Sequence, residues 1–185
     1  IEHESDDPYR FAPTLGEIDL HLVNEGRHEQ LWTVLGARVQ TYQGPMGEVT
    51  GTSFAVWAPR AKAVRVIGDF NGWDGRLHPM RVLGSTGIWE LFLPGVVAGQ
   101  HYKFEVKTQE GYILKKIDPL GFATEVPPRT ASIVYQSTYT WGDAAWLKQR
   151  REGDSLNRPM SIYEVHLGSW RRGDNNTFLS YRDAA

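Results

Sequence analysis

A chain of 185 residues, 41% hydrophobic and 23% charged, is long enough to bury a core of its own and is neither disordered nor membrane-like in composition. It contains no cysteine, which excludes disulfide frameworks, thiolate metal sites and cysteine nucleophiles. Lys and Arg number 20 against 22 Asp and Glu, a net charge of -2. Arg150-Arg151 and Arg171-Arg172 are too short to form a basic face for nucleic acid, and an uncharged partner fits best. The apolar stretch Leu91 to Ala98 is broken by Pro94 and Gly95, so no membrane span is expected. The acidic start, Ile1 to Asp7, is no secretory signal. With no initiator Met, and an end at Ala185 just after a helix start, the sequence reads as a piece of something longer.

In chain order, Thr14 with Glu17 reads as a capping box. Leu15, Ile18 and Leu22 follow on one helical face, and Gly26 is a stop. A short turn is expected from Leu31 to Leu35, ended by Gly36. From about Val49 the period becomes two. Phe54 and Val56 alternate with Ala55 and Trp57, Val64 and Val66 with Arg65 and Ile67, and Ile88, Glu90 and Phe92 with Trp89, Leu91 and Leu93. His101 to Lys107 is the cleanest case, with Tyr102, Phe104 and Val106 on one side and His101, Lys103, Glu105 and Lys107 on the other. A further strand is expected from Thr130 to Tyr135. Short strands between Gly, Pro and Asn turns predict a β-sandwich of about 90 residues. Asp143 then caps a helix through Arg151 that Gly153 ends. Leu156 to Pro159 is linker-like, Ser161 to Leu167 is a predicted strand, and Ser180 with Asp183 opens another helix. Strand, loop and helix in that order would open an α/β domain.

Among residues able to carry chemistry, Trp73 stands out in the turn Gly68-Asp69-Phe70-Asn71-Gly72-Trp73-Asp74. An indole is hard to bury in such a turn, and its flat apolar face with a polar edge matches the C–H face and hydroxyl rim of a pyranose. The alternative is a Trp folded over the sandwich edge. Lys103, on the polar side of its strand, offers donors for sugar hydroxyls or is an ordinary solvated lysine. Tyr112, after Gly111, offers a second platform. Trp57 and Trp89 suit the two sheet faces better than a ligand. His21 and His28 have no carboxylate motif beside them, so no metal site is expected. Asn175-Asn176-Thr177 matches the glycosylation pattern but reads as a polar loop. No phosphate-cradling loop or Gly-x-Ser-x-Gly elbow is present.

Taken together, several motifs become specific. Asp7-Pro8-Tyr9-Arg10-Phe11, Gly51-Thr52-Ser53-Phe54-Ala55-Val56-Trp57-Ala58-Pro59 and Gly68 to Arg76 occur in that order. His78-Pro79-Met80, Gly87 to Phe92, Tyr102-Lys103-Phe104 and Ser161-Ile162-Tyr163-Glu164-Val165-His166-Leu167-Gly168-Ser169-Trp170-Arg171-Arg172 follow. Over nearly its whole length the chain resembles bacterial 1,4-α-glucan (glycogen) branching enzymes. The resemblance implies a mainly β protein: an immunoglobulin-like antiparallel sandwich, a family-48 carbohydrate-binding module, over residues 48–140. Residues 1–47 would be a helical connection from a preceding domain and 141–158 a linker helix. Residues 159–185 would be the first βα element of a truncated (β/α)8 barrel. The parent enzyme would cleave an α-1,4 linkage, hold the glucan on an Asp and transfer it to a 6-hydroxyl, retaining chemistry that needs two carboxylates about 5 Å apart.

The family's catalytic carboxylates come from later barrel strands, so no catalytic residue and no cofactor is expected here. Glu164 and His166 are read as barrel structure. Trp73 and Lys103 match the family's glucan platform, whereas its second tryptophan is replaced by Tyr112 in a longer loop. The expected partners are α-1,4-glucan or glycogen and the catalytic barrel of the same enzyme, in the cytoplasm. Two other readings stay open: a free-standing α-glucan-binding module, and a sandwich without ligand that braces the barrel. The apolar residues Ile162, Tyr163, Val165 and Leu167, without a neighbouring strand, should form an exposed or disordered edge.

Overall fold

A computed structural model describes residues 6–44, 47–154 and 156–185. Residues 1–5, most of the acidic start discussed above, lie outside the described residues. The chain divides into two units, one ending at Thr138 and the other running from Tyr139 to Ala185.

In the first unit, nine strands form two antiparallel sheets. One holds β1 (Gly36–Gly44), β2 (Gly47–Trp57), β5 (Ile88–Pro94) and β4 (Arg81–Val82), in that order. The other runs β3 (Ala63–Gly68), β6 (His101–Lys107), β9 (Ser132–Ile133), β8 (Ala123–Thr124), with β7 (Ile113–Lys116) also paired to β6. β9 meets β6 at His101 and Tyr102, β7 at Phe104 to Lys107. The period-two alternation decides which side chains face inward. Phe54 and Val56 of β2, Val64 and Val66 of β3, Leu91 and Leu93 of β5, and Tyr102 and Phe104 of β6 form one core between the sheets. Thr130 to Tyr135, expected as one strand, is regular only at β9, although the Val134 N–H still donates to the Gln100 carbonyl.

The opposite face of the first sheet is buried as well, by the N-terminal segment. Phe11 stacks edge-on against Phe92, with centroids 4.8 Å apart. Leu15 packs with Ile88, Ala55, Leu83 and Leu35 in a second apolar cluster. Between them Glu90 is fully buried, because Arg81 Nε donates to it at 2.9 Å and the Thr14 hydroxyl at 3.2 Å. Thr14 is thus not the helix cap that its sequence context suggests. Helix α1 (Glu17–Asn24) is capped at Gly16, whose N–H donates to Asp19 Oδ2 at 3.2 Å. Its C-terminus agrees with expectation: Gly26 has φ +67°, and the N–H groups of Gly26 and Arg27 return to the carbonyls of Val23 and Leu22.

Strand β1 lies within the stretch read as a helical connection. Ala37 and Val39 face the core, but Arg38, Gln40 and Thr41 give the stretch no apolar face that stands out in sequence. The helical reading of residues 36–44 is therefore corrected: they pair with β2 over its whole register.

In the second unit, α2 (Ala144–Glu152) lies between Asp143 and Gly153 as expected, although the Asp143 side chain makes no capping hydrogen bond. Two short helices follow, α3 (Leu167–Trp170) and α4 (Tyr181–Ala184), and Ser180 Oγ accepts the Asp183 N–H at 3.2 Å. Residues 161–166 form no strand. Ile162 and Tyr163 are 82% and 72% exposed, and no described residue of this unit is buried. A strand needs a ladder partner for its N–H and C=O groups. Among the described residues none pairs with this segment, so β-branched and aromatic composition alone does not make it a strand.

Candidate functional site

The outer face of the second sheet carries two of the three residues expected to meet a sugar. Alternation along β3 and β6 sends Arg65, Ile67, His101, Lys103 and Glu105 to that face. Ile67 is nonetheless fully buried, and the connection after β3 folds back over this face, with Gly75 packed against Arg65 and Glu105. That connection is short and tightly pinned. Asn71 is buried; its Oδ1 accepts the Gly68 N–H at 2.9 Å, and its Nδ2 donates to the Val66 carbonyl at 3.0 Å and to His78 Nδ1 at 2.9 Å. Only glycine fits at position 68, since a Cβ would strike the His101 carbonyl and the Phe70 ring.

Gly72 and Trp73 then both take left-handed backbone angles, with φ +58° and +63°. For a residue as bulky as Trp this conformation costs about 1–2 kcal/mol. The turn's hydrogen bonds offset it: Trp73 N–H donates to the Gly68 carbonyl at 3.0 Å and Asp74 N–H to that of Asn71 at 3.1 Å. The result is a half-buried indole at the rim of the sheet. Arg76 holds the neighbouring Asp74 carboxylate through two nitrogens and keeps it at about 2.

Next to the indole lies a polar string. The His101 N–H and its Nδ1–H both donate to Asp69 Oδ2 at 2.8 Å. That backbone N–H is the main reason the Asp69 carboxyl sits below its ordinary value, and the Trp73 indole adds to the effect. On its other side His101 Nε2 stands 3.7 Å from Glu125 Oε1, which Arg129 also approaches at 3.7 Å. Lys103, two residues along β6, directs its ammonium to Thr130 Oγ1 at 2.7 Å. The face thus offers an aromatic plane, an ammonium, an imidazole, two carboxylates and a guanidinium within a few residues of β6. Such a set can donate to and accept from neutral hydroxyls.

Tyr112 is placed differently. It is 70% exposed in the turn between β6 and β7, its N–H on Thr108 Oγ1 at 3.3 Å. The register pairs Lys107 with Ile113, which leaves Tyr112 just outside the ladder. Lys103 to Lys107 spans about 13 Å of strand at 3.3 Å per residue, so Tyr112 sits at the far end of β6 from Lys103. The His101–Asp69 pair was not legible in the sequence, because its members are separated by β4 and β5 and meet only through the β3–β6 register. Glu125 and Arg129 were missed for the same reason. Among the described residues no group of His, Asp and Glu is arranged to hold a metal, and no helix is long and apolar enough to cross a membrane.

Comparison with known proteins shows what the chain resembles. Residues 34–121 match the model of carbohydrate-binding module 48 (isoamylase N-terminal domain). The chain is 61% identical over 181 residues to the 1,4-alpha-glucan branching enzyme GlgB of Rhodococcus jostii, covering 98% of this chain and 24% of that protein. It is 59% identical over 184 residues to GlgB 1 of Streptomyces coelicolor, covering 100% of this chain and 23% of that one. A pullulanase structure from Bacillus subtilis, solved with maltose, superposes at 24% identity and a TM-score of 0.44, covering 58% of this chain and 14% of the other. The chain therefore spans about a quarter of the length of its branching-enzyme relatives. Residues 34–121, most of the sandwich, are thus similar to carbohydrate-binding module 48, within a sequence similar over nearly all its length to part of the GlgB branching enzymes.

Proposed function

We propose that this chain is the non-catalytic N-terminal region of a 1,4-α-glucan branching enzyme, and that its sandwich holds α-1,4-glucan against the outer face of β3 and β6. The observation that carries the binding half is the Trp73 indole, held partly exposed at the rim by a strained turn beside the Lys103 strand. A sugar ring would lie on the indole with Lys103 donating to its hydroxyls, and only a longer chain running along β6 would reach Tyr112. The similarity to GlgB enzymes over nearly the whole chain supports the parent activity. That activity is cleavage of an α-1,4 linkage and retaining transfer to a 6-hydroxyl, in the cytoplasm, on glycogen. Its carboxylates would come from barrel strands outside these residues, so the chain alone should be inactive. Residues 159–185 would become the barrel's opening strand and helix once a neighbouring strand completes the ladder.

The test is a calorimetric titration with maltoheptaose, with a β-linked glucan of similar length as control. Saturable heat from the α-glucan alone, lost in Trp73→Ala, is the expected outcome. Absence of heat at millimolar ligand would reduce the sandwich to a brace for the barrel.

A further inference from the structure

An exposed indole, Trp57, stands at the opposite end of the sandwich from Trp73. Alternation along β2 sends Ser53, Ala55 and Trp57 to the outer face of the first sheet. The N-terminal segment covers that face as far as Ala55, where Leu31, Leu35 and Leu120 close over it. Trp57 is the next outward residue, and it is 58% exposed, although the six preceding positions on β2, Gly51 to Val56, are all buried. Its orientation is set, because Nε1–H donates to the Thr86 carbonyl at 3.1 Å.

The ring divides two hollows. The smaller, about 280 Å³, is walled mainly by apolar side chains, Leu31 and Leu35 of the N-terminal segment and Leu120 from the stretch between β7 and β8 among them. The larger, about 560 Å³, is open and mixed in character, with Trp57, Ala58 and Arg60 on one side and Thr108, Gln109 and Glu110 of the β6–β7 turn on the other. Its size falls within the range of ordinary ligand sites, which combine an apolar wall with a few polar groups. The two walls are tied together, Gln109 Nε2 donating to the Arg60 carbonyl at 3.3 Å and Lys62 N–H to the Lys107 carbonyl at 2.8 Å. Glu110 is held below its ordinary value by its own backbone N–H and by the Thr108 hydroxyl. A preformed hollow of this kind loses little ordering entropy when it is filled.

We infer that the groove between Trp57 and the β6–β7 turn is a second α-glucan contact site, with the sugar's C–H face on the Trp57 indole and its hydroxyls on Arg60, Gln109 and Glu110. The inference rests on the glucan-binding reading above for its ligand class, but not on the Trp73 face for its geometry. The opposed charges of Arg60 and Glu110 favour a neutral, hydroxyl-rich ligand over an anion or a cation. Tyr112 belongs to the turn that forms this groove's far wall, so a glucan chain leaving the groove would meet it before reaching Lys103.

The experiment follows the indole N–H resonances of Trp57 and Trp73 while maltoheptaose is added, and again with a cello-oligosaccharide. Trp57→Phe and Trp73→Ala assign the two signals. Arg60→Ala, which leaves both indoles in place, is the companion variant should Trp57→Phe fail to fold. A saturable shift of the Trp57 signal that persists in Trp73→Ala, and weakens roughly threefold to tenfold in Arg60→Ala, supports the site. A Trp73 signal that saturates while Trp57 stays still overturns the second site and leaves the first reading standing. If neither signal moves, both are overturned. An equal response of Trp57 to the β-linked chain would overturn the α-glucan assignment.

Discussion

The Tyr102 hydroxyl donates to Asp118 Oδ2 at 2.5 Å inside the sandwich. Asp118 Oδ1 also accepts the Leu120 N–H at 2.8 Å, and the Asp118 N–H donates to Ser132 Oγ at 3.0 Å. Asp118 thus joins β6 and the segment between β7 and β8 through its carboxylate, and β9 through its backbone N–H.

Burial pushes the Asp118 carboxyl up, against the opposing pull of Tyr102, Leu120 and Arg38. Between the ordinary carboxylate value of about 3.9 and its native value, the folded state then binds more protons than the unfolded chain. In that interval stability falls as pH rises, and above it the Asp118 contribution is constant. Asp118→Asn should remove this negative slope, so its stability relative to wild type should improve as pH rises through the interval. Asp118→Ala strands the Tyr102 hydroxyl and should cost about 1–3 kcal/mol above that interval, and more below it, since it too removes the titrating group. Urea unfolding at a series of pH values reads both, and parallel curves for wild type and Asp118→Asn would refute the account.

The Asn71–His78 contact predicts the opposite slope. Asn71 Nδ2 can donate to His78 Nδ1 only while that nitrogen is unprotonated, and burial lowers the His78 value. The folded state binds fewer protons than the unfolded chain below about 6.5, so stability should decline as pH falls from there toward the native value. A proton titration of His78 followed by NMR should give a midpoint below that of a free histidine. Asn71→Ala leaves the Gly68 N–H and the Val66 carbonyl unpaired and should lower stability by about 1–3 kcal/mol. A normal His78 midpoint would contradict the assignment.

Trp73 separates stability from binding. Its φ of +63° favours glycine over any residue with a Cβ. Trp73→Gly should therefore be more stable than Trp73→Ala by about 1 kcal/mol, although both remove the indole and should abolish the maltoheptaose heat assigned to that face. Thermal unfolding of the two variants side by side decides it; equal stabilities would mean the turn is not strained at this residue.

Glu90 clamps the N-terminal segment to the sandwich. It is fully buried and paired with the partly buried Arg81, whose Nη1 donates to the Phe11 carbonyl at 2.8 Å. Glu90→Ala leaves a half-buried guanidinium without its counter-charge and should cost about 3–5 kcal/mol, with faster tryptic cleavage at Arg10 and Arg27. A loss under about 1 kcal/mol with unchanged cleavage would show that apolar packing alone holds the segment.

What the sequence alone determined is the part of the structure that local pattern encodes. Period-two alternation separated the two faces of β2, β3, β5 and β6, because successive side chains of a strand point to opposite sides. Gly26 and Ser180 marked helix ends, because capping needs only neighbours along the chain. The turn residues around Trp73 announced a ring that would be hard to bury.

Other features depend on residues far apart in the chain, and only the tertiary structure decided them. Thr14 had the right spacing for a cap but was taken by Glu90 and Ser53, partners that sequence distance hides. β1 became a strand because β2 offered a complete ladder. Residues 161–166, richer in strand-forming types, stayed irregular for want of one. Tyr112 resembled part of the Trp73–Lys103 platform until the β6–β7 register carried it to the other end of the strand. Trp57, which belongs by alternation to a covered face, is exposed because the cover ends one outward position earlier. Pairing and covering are contacts between distant segments, and a backbone group or an apolar ring is satisfied only by what the fold brings to it.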